Sequence, residues 1–160
     1  MKIELIDDNK TVLFLNKLIL KNFNVDNPNY WEEYIKKLII NLRDNYDLKL
    51  NGDYSAKVYI NNIYGIIIEL IKLDDYFSFS DDIVDMRILF NLDSNILYEV
   101  DDYFHIDYLG NNIDKYYYDS KYYYKIKTID DKNLIRLSDF SKVIYGSKAE
   151  EVLKKAIKIK

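Results

Sequence analysis

The abundance of aromatic residues is the feature that most constrains what this chain can fold into. The chain has 17 Tyr and 7 Phe but only 4 Gly and 1 Pro among 160 residues. Tyrosine favours the pleated, half-buried surface of a β-sheet. Hydrophobic residues make up 49% of the chain and charged residues 31%, which is enough apolar material for a core. The composition therefore predicts a globular protein with tyrosine-rich strands.

The sequence also bears on the compartment and on membranes. The chain has 0 Cys, so a disulfide framework is excluded and a reducing compartment fits. Its first residues lead into a charged segment with Asp7 and Asp8 and not into an apolar leader. The longest apolar stretch, residues 63–71, is broken by Glu69 and is too short to span a bilayer. We expect a cytoplasmic protein that does not associate with membranes.

The overall charge argues against one class of partner. The formal net charge is -4 and the isoelectric point is about 5.1. Nucleic-acid affinity rests largely on Lys and Arg side chains that neutralise phosphates. We therefore expect protein partners and no nucleic acid.

The first half of the chain has the pattern of a ββαββ unit. Residues 2–6 and 11–20 predict a β-hairpin around the turn Asp8-Asn9. Asn27-Pro28 is a typical helix start, and apolar residues then recur at helical spacing. Residues 55–60 and 64–73 predict two more strands, joined at Asn61-Asn62. The predicted buried residues of the helix are Trp31, Tyr34, Leu38, Ile39 and Leu42, with Ile35 at the same spacing.

The single tryptophan, Trp31, lies on that apolar stripe. Residues on the apolar stripe of a helix are usually buried. Core packing is therefore favoured over the other interpretation, an exposed binding anchor.

An aspartate-rich segment divides the sequence. Residues 74–82 contain Asp74-Asp75 and Asp81-Asp82 and form the predicted boundary between two small domains, residues 1–74 and 83–160. We predict an α+β fold in which each domain is an antiparallel sheet packed against helices. Residues 83–92 fit a short helix or a strand equally well.

The second half has strand composition followed by a helix. Residues 96–100, 115–118 and 122–129 predict strands, and Asp119-Ser120 turns the last two into a hairpin. Residues 134–137 predict one more strand. Ser147 and Glu150 have the spacing of a capping box, which predicts a C-terminal helix from Ser147 that includes Val152 and Ile157.

Residues able to carry chemistry are few. His105 is the only histidine, and without cysteine it cannot complete a usual zinc site or nucleophile–base pair. Paired aspartates could hold Mg²⁺ or hydrolyse a glycoside, but they fall where turns and helix caps favour aspartate. Phosphate-binding glycine loops do not occur. We expect no catalytic residue, metal or cofactor, and specifically no catalysis by Asp101, Asp102 or His105.

The order of short motifs in the first half resembles the N-terminal domain of the MecA adaptors. The matching segments are Met1-Lys2-Ile3-Glu4, Trp31 near the start of a helix, Leu50-Asn51-Gly52-Asp53, Val58-Tyr59-Ile60 and Tyr64-Gly65-Ile66-Ile67-Ile68-Glu69. Gly52 and Gly65 fit two glycine positions of the family.

The second half is similar to the C-terminal domain of the same family. The matching segments are 98–104, the aromatic hairpin 116–124 and the closing stretch Leu137-Ser138-Asp139-Phe140-Ser141-Lys142-Val143-Ile144. The chain is shorter than a typical member and has Ser141 where the family has glycine. Relative to the family, a helix between the hairpin and Leu137 is expected to be missing.

The resemblance implies a non-enzymatic adaptor of the type that regulates competence. In that family the N-terminal domain recruits substrate proteins and the C-terminal domain docks on a Clp-type AAA+ unfoldase. The docking residues that it implies here are Tyr122, Tyr123, Tyr124, Asp139, Phe140, Lys142, Val143 and Ile144. A small acidic interaction or immunity-type protein with one dedicated partner is the alternative, and a carboxylate-dependent hydrolase is a third possibility.

Overall fold

The computed structural model describes residues 1–20, 30–46, 52–73, 84–101 and 112–159. Within these ranges the chain has three helices and two five-stranded sheets, so the predicted α+β class is confirmed. Contacts between residues divide the chain into two compact units. The first unit contains Met1–Val58 and Ile66–Asn91, and the second contains Tyr59–Gly65 and Leu92–Lys160.

The first sheet is built from strands that lie between residues 2 and 91. Its strands are β1 (Lys2–Asp7), β2 (Lys10–Asn16), β3 (Gly52–Asn61), β4 (Gly65–Lys72) and β5 (Val84–Asn91), in the spatial order β1-β2-β4-β3-β5. The predicted β1–β2 hairpin is confirmed, and its strands pair in antiparallel fashion. At its turn the Asn9 N–H donates to Asp7 Oδ1 over 2.8 Å, which is the role that a turn gives to aspartate.

Helix α1 (Trp31–Tyr46) follows in sequence between β2 and β3. Its buried side chains are Trp31, Ile35, Ile39 and Leu42. Tyr34 and Leu38 were also predicted to be buried, but both remain partly exposed because they lie at the margin of the buried stripe. The proposed helix start at Asn27-Pro28 lies outside the described residues.

Trp31 packs in the first unit, as the sequence predicted. Its side chain is buried, and its ring centroid lies 5.4 Å from that of Phe90 on β5, with the rings tilted by 53°. The opposite face of α1 is charged, with Lys36–Glu32 and Lys37–Glu33 ion pairs at 2.8 and 2.6 Å. Within each pair the two residues are four positions apart, which is about one helical turn and is the spacing at which side chains on a helix meet.

Strand β5 departs from the predicted domain boundary. The segment 74–82 itself lies outside the described residues, but residues 84–91, which the sequence analysis placed in the second domain, extend the first sheet beside β3. The sequence left open whether residues 83–92 form a helix or a strand, and the structure shows a strand at residues 84–91. The physical reason is that β3 offers a sheet edge on which β5 completes its hydrogen bonds.

The turn between β3 and β4 follows Asn61 and spans residues 62–64, so it includes the predicted Asn62 but extends two residues further. The Asn61 Oδ1 accepts the backbone N–H groups of Ile63 (2.9 Å) and Tyr64 (2.8 Å) and so starts the turn. In the second unit, Asn61 Nδ2 also donates to the Ser94 carbonyl over 2.9 Å, and the Ser94 N–H donates to the Ile60 carbonyl over 2.9 Å. These two hydrogen bonds join the end of β3 to Ser94 within the second unit, which contains Tyr59–Gly65.

The second sheet has the order β10-β7-β8-β6-β9. Its strands are β6 (Leu97–Val100), β7 (Ile113–Tyr118), β8 (Lys121–Ile126), β9 (Lys142–Ile144) and β10 (Ile157–Ile159). The predicted β7–β8 hairpin is confirmed. Its turn residues Asp119 and Ser120 have φ angles of 49° and 60°, so both adopt the left-handed conformation that a two-residue hairpin turn requires.

Helix α2 (Asp131–Phe140) corrects two predictions. Residues 134–137 form part of this helix and not a strand, and a helix is present between the β7–β8 hairpin and β9. Asp130 caps it, because its Oδ1 accepts the Asn133 N–H over 2.9 Å. Leu134 and Leu137 are buried, so one face of the helix anchors it to the unit.

Helix α3 (Gly146–Lys155) is present near the predicted place but starts and ends differently. Its N-cap is Tyr145, which makes no capping side-chain hydrogen bond, so Ser147 is not the cap. Gly146 occupies the first helical position with φ 59°, and a Cβ there would lie 3.1 Å from the Tyr59 ring. Ala149 and Val152 pack inward, whereas Ile157 lies beyond the helix in β10.

Candidate protein-docking surface

The tyrosines of β8 have different environments. Tyr123 and Tyr124 are 3% and 0% exposed, whereas Tyr122 is half-buried with its ring centroid 5.1 Å from that of Tyr117. Successive residues of a strand point to opposite faces of the sheet. Tyr123 therefore packs on the face of the sheet that also carries Leu97 and is covered by Ala149 and Val152 of α3. Tyr124 is buried on the other face. Two of the three predicted docking tyrosines are core residues.

Strand β9 is at one end of the described second sheet. It pairs with β6 through Leu97↔Ile144, Tyr98↔Val143 and Glu99↔Lys142. Ile144 is buried and Val143 is half-buried, whereas Lys142 is exposed. Of the predicted docking residues on this strand, only Lys142 presents a largely accessible side chain.

Phe140 is the most exposed large apolar side chain in the described part of the chain. It is 78% exposed, and Ile135 on the same helix is 45% exposed. The cause is the helical period, since Leu134 and Leu137 take the inward face of α2 and leave these residues outside. Arg136 and Asp139 are exposed on the same outer side.

The C-terminal end of α2 is fixed by hydrogen bonds to its last carbonyls. Ser138 Oγ donates to the Leu134 carbonyl over 2.8 Å, and Ser141 Oγ donates to the Leu137 carbonyl over 2.5 Å. Ser141 has extended backbone angles, so the helix ends there and the chain enters β9. Phe140 is therefore held on ordered backbone at the junction of a helix and a strand.

We call the exposed residues around this junction the α2–β9 surface. It consists of Ile135, Arg136, Asp139, Phe140 and Lys142. Sequence reasoning identified three of these residues and missed Ile135 and Arg136, because residues 134–137 were assigned to a strand. The spacing of Leu134 and Leu137 behind the capping residue Asp130 was the signal that could have found them.

Strand β6, which pairs with β9, carries a buried carboxylate. Glu99 on β6 is 6% exposed and lies directly opposite Tyr123 on β8 and Lys142 on β9. Lys121 Nζ donates to Glu99 Oε1 over 2.6 Å, while Oε2 is buried and has no hydrogen-bond partner among the described residues. The carboxylate thus ties β6 to β8 and lies opposite Lys142 of the α2–β9 surface.

The environment of Glu99 shifts several pKa values. Burial raises the pKa of Glu99, but the hydrogen bond and charge of Lys121, together with Tyr123 and Lys148, outweigh burial and lower it overall. The same contact with Glu99 raises the pKa of Lys121. Burial, and then the negative charge of Glu99, raise the pKa of Tyr123 to about 12. Near neutral pH the site is therefore an ion pair beside a neutral tyrosine.

We expect Glu99→Gln to lower the free energy of unfolding at neutral pH by about 1 kcal/mol, because a hydrogen bond to a charged group is weakened. The folded-state pKa of Glu99 lies below its ordinary value of 4.5, so its contribution is present above that value and is lost as pH falls through the lower, folded-state pKa. The difference in the free energy of unfolding between the wild type and Glu99→Gln should therefore become smaller as the pH is lowered. Urea unfolding at a series of pH values measures this, and a gap that widens toward low pH would contradict it.

A second exposed apolar row crosses the other end of this sheet. Ile157 on β10 lies opposite Tyr117 on β7, which in turn lies opposite Tyr122 on β8. Ile157 is 71% exposed and Tyr117 is 39% exposed. The sequence analysis identified only Tyr122 of this row, because Ile157 was assigned to the apolar face of the C-terminal helix.

The residues considered for chemistry fall into two groups. Asp102 and His105 lie outside the described residues, and Asp101 is exposed at the end of β6. Asp7 forms a turn and Asp130 caps a helix, as predicted for paired aspartates. In the described ranges no cluster of His, Cys, Asp and Glu has the arrangement of a metal site, and no helix is long and apolar enough to cross a membrane.

Comparison of the chain with family models, curated proteins and solved structures gave no match.

Proposed function

We propose that this chain is a non-enzymatic adaptor that delivers substrate proteins to a Clp-type AAA+ unfoldase and docks on it through the α2–β9 surface. The observation that carries the proposal is Phe140, 78% exposed in the stretch 137–144 that resembles the closing segment of the MecA adaptors. A large aromatic ring held on ordered backbone suits a pocket in a partner, because little conformational freedom is lost on binding.

The charges around Phe140 support a specific orientation of the partner. Arg136, Asp139 and Lys142 are exposed, and none of them forms an ion pair with another described residue. Exposed charges around an apolar anchor form the polar rim of an interface and favour a partner with complementary charges. The rim here has both signs, so the expected partner surface is also mixed.

The buried residues of the resemblance have a supporting role in this proposal. Tyr123, Tyr124 and Ile144 pack inside the second unit and hold β6, β8 and β9 in register. They stabilise the sheet that carries the surface, and the partner contacts Phe140 and its neighbours. Residues 1–74 recruit the substrate protein in this proposal, as the resemblance implies.

Phe140→Ala is expected to weaken binding of the full chain to the unfoldase by about tenfold or more, because a central aromatic anchor contributes on the order of 2 kcal/mol. Calorimetry with the unfoldase of the same cell and its ATPase rate measure binding and stimulation. The matched control is Ile157→Ala, since Ile157 is similarly exposed (71%) but lies on β10. Equal effects of the two variants, or none from Phe140→Ala, would contradict the proposal.

A pull-down from the source cell separates the adaptor from the alternative function. An adaptor should retain an unfoldase with wild-type protein and lose it with Phe140→Ala. Recovery of one dedicated protein in place of an unfoldase would instead support the small interaction or immunity-type protein. In that case the Phe140 variant shows whether the same surface is used.

A further inference from the structure

The outer edge of β1 is a sheet edge without a strand partner in the described part of the chain. β1 is at the end of the first sheet and pairs with β2 on its inner side. Leu5 is 74% exposed and Met1 is 40% exposed beside this edge. Backbone N–H and C=O groups on such an edge can accept a further strand.

The two faces of β1 differ in chemistry. Lys2 and Glu4 lie opposite Phe14 and Val12 on β2, so they share one face, while Ile3 and Leu5 lie on the other. Lys2 Nζ is 2.5 Å from Glu4 Oε1 and 5.9 Å from the centroid of the Phe14 ring. One face of the edge therefore carries a lysine and a glutamate two residues apart, and the other face is apolar.

This pattern is complementary to itself in one antiparallel register. A two-fold axis perpendicular to the sheet leaves each face of the sheet on the same side in both copies. Residues that lie opposite each other across the contact therefore point to the same face. With the axis at Ile3, Lys2 lies opposite Glu4 of a second copy, and Glu4 lies opposite the copy's Lys2. On the other face Leu5 lies opposite Met1 of the copy, and the two Ile3 side chains meet. Charge pairs form on one face and apolar pairs on the other.

The neighbouring registers are disfavoured by charge. An axis at Lys2 places the two Lys2 ammonium groups opposite each other, and an axis at Glu4 does the same with the two Glu4 carboxylates. A register irregularity between Leu5 and Asp7 places Asp7 opposite Lys10, on the same face as Glu4. An axis at Leu5 therefore places Glu4 opposite Asp7 of the copy. Like charges directly opposite in a sheet are destabilising, so the register centred on Ile3 is selected.

We propose that two copies of this chain associate by antiparallel pairing of β1 with β1, centred on Ile3, so that the first sheet continues from one copy into the other. The contact is short, since the irregularity after Leu5 ends the regular edge. It is smaller than a standard interface of roughly 800 Å² per partner, so a reversible dimer with a dissociation constant in roughly the micromolar range is expected. The inference does not rest on the proposed adaptor function.

Two charge reversals test the register. Lys2→Glu places Glu opposite Glu4 of the copy, and Glu4→Lys places Lys opposite Lys2 of the copy. Each variant alone should raise the dimer dissociation constant by about tenfold or more, because attractive pairs become repulsive on both sides of the axis. An equimolar mixture of the two should form a heterodimer, since every facing pair is then of opposite sign. Sedimentation velocity of the full chain measures all three samples.

The control is Lys132→Glu, which changes the net charge as Lys2→Glu does but lies on the exposed side of α2. It should dimerise like the wild type, and circular dichroism should show that every variant is folded. The heterodimer cannot arise from misfolding, because both single variants must be folded to form it. A monomeric wild type, or single variants that dimerise like the wild type, would overturn the proposal. If the equimolar mixture of the two variants stays monomeric, the proposed register is wrong. If the chain stays monomeric but the β1 edge binds extended peptides of other proteins, the surface serves a different partner and the dimer proposal is wrong.

Discussion

Tyr124→Ala is expected to lower the free energy of unfolding by about 3–5 kcal/mol, the range for removing a large aromatic side chain from a core. Tyr124 is 0% exposed in β8 and pairs across the sheet with Tyr98, which is 1% exposed. Deleting the ring therefore leaves a cavity between two strands that hold the second sheet together. Urea unfolding followed by far-ultraviolet circular dichroism measures the loss.

The control for this prediction is Phe140→Ala. Phe140 is 78% exposed, so its removal should change the free energy of unfolding by less than about 0.5 kcal/mol. Hydrogen exchange of the peptides that span β7 and β8 should accelerate in the Tyr124 variant and stay unchanged in the Phe140 variant. If Phe140→Ala costs as much as Tyr124→Ala, the assignment of one residue to the core and the other to the surface is wrong.

Ile39→Ala is expected to cost about 2–5 kcal/mol, because Ile39 is 1% exposed on the inner face of α1. The neighbouring Ile40 is 37% exposed and provides a matched control with the same side chain on the same helix. Ile40→Ala should cost clearly less, about 1 kcal/mol or below, since much of its side chain is already in water. Leu38→Ala should fall between the two, because Leu38 is partly exposed.

Fluorescence of Trp31 reports on this helix, since Trp31 is the only tryptophan and packs in the same buried stripe. Urea titrations of the three variants give the free energies on one scale. Equal losses for Ile39→Ala and Ile40→Ala would show that the inner face of α1 is not the one assigned. A loss for Leu38→Ala as large as that for Ile39→Ala would restore the wider stripe predicted from the spacing.

Features that depend on a few neighbouring residues were predictable from the sequence. The hairpin turn at Asp119 and Ser120 needs two residues that tolerate positive φ, and both have it. The turn at Asp8-Asn9 was predicted at the right place, although the side chain that accepts the backbone N–H is that of Asp7. The Asn61 side chain does the same at the start of the next turn. Helix α1 could be predicted because its apolar period extends over several turns.

The candidate site was predicted less completely. Phe140, Asp139 and Lys142 were named from the resemblance and are exposed, whereas Tyr123, Tyr124 and Ile144 were named on the same grounds and are buried. A run of tyrosines in a strand shows that rings lie on both sides of a sheet, but it does not show whether each side is covered. Coverage depends on elements that are distant in the sequence.

What the sequence by itself determined about this protein is its local structure and class: turns, a long amphipathic helix, strand-rich segments and hence an α+β fold. Only the tertiary structure decided the form of residues 84–91, which the sequence left open, and it corrected residues 134–137, which were predicted as a strand. Residues 84–91 became a strand because β3 offered an edge for hydrogen bonding, and residues 134–137 became helical within α2 once Leu134 and Leu137 were buried on one face. Both outcomes depend on burial and pairing with distant residues, and those contribute more free energy than the local preferences of short segments.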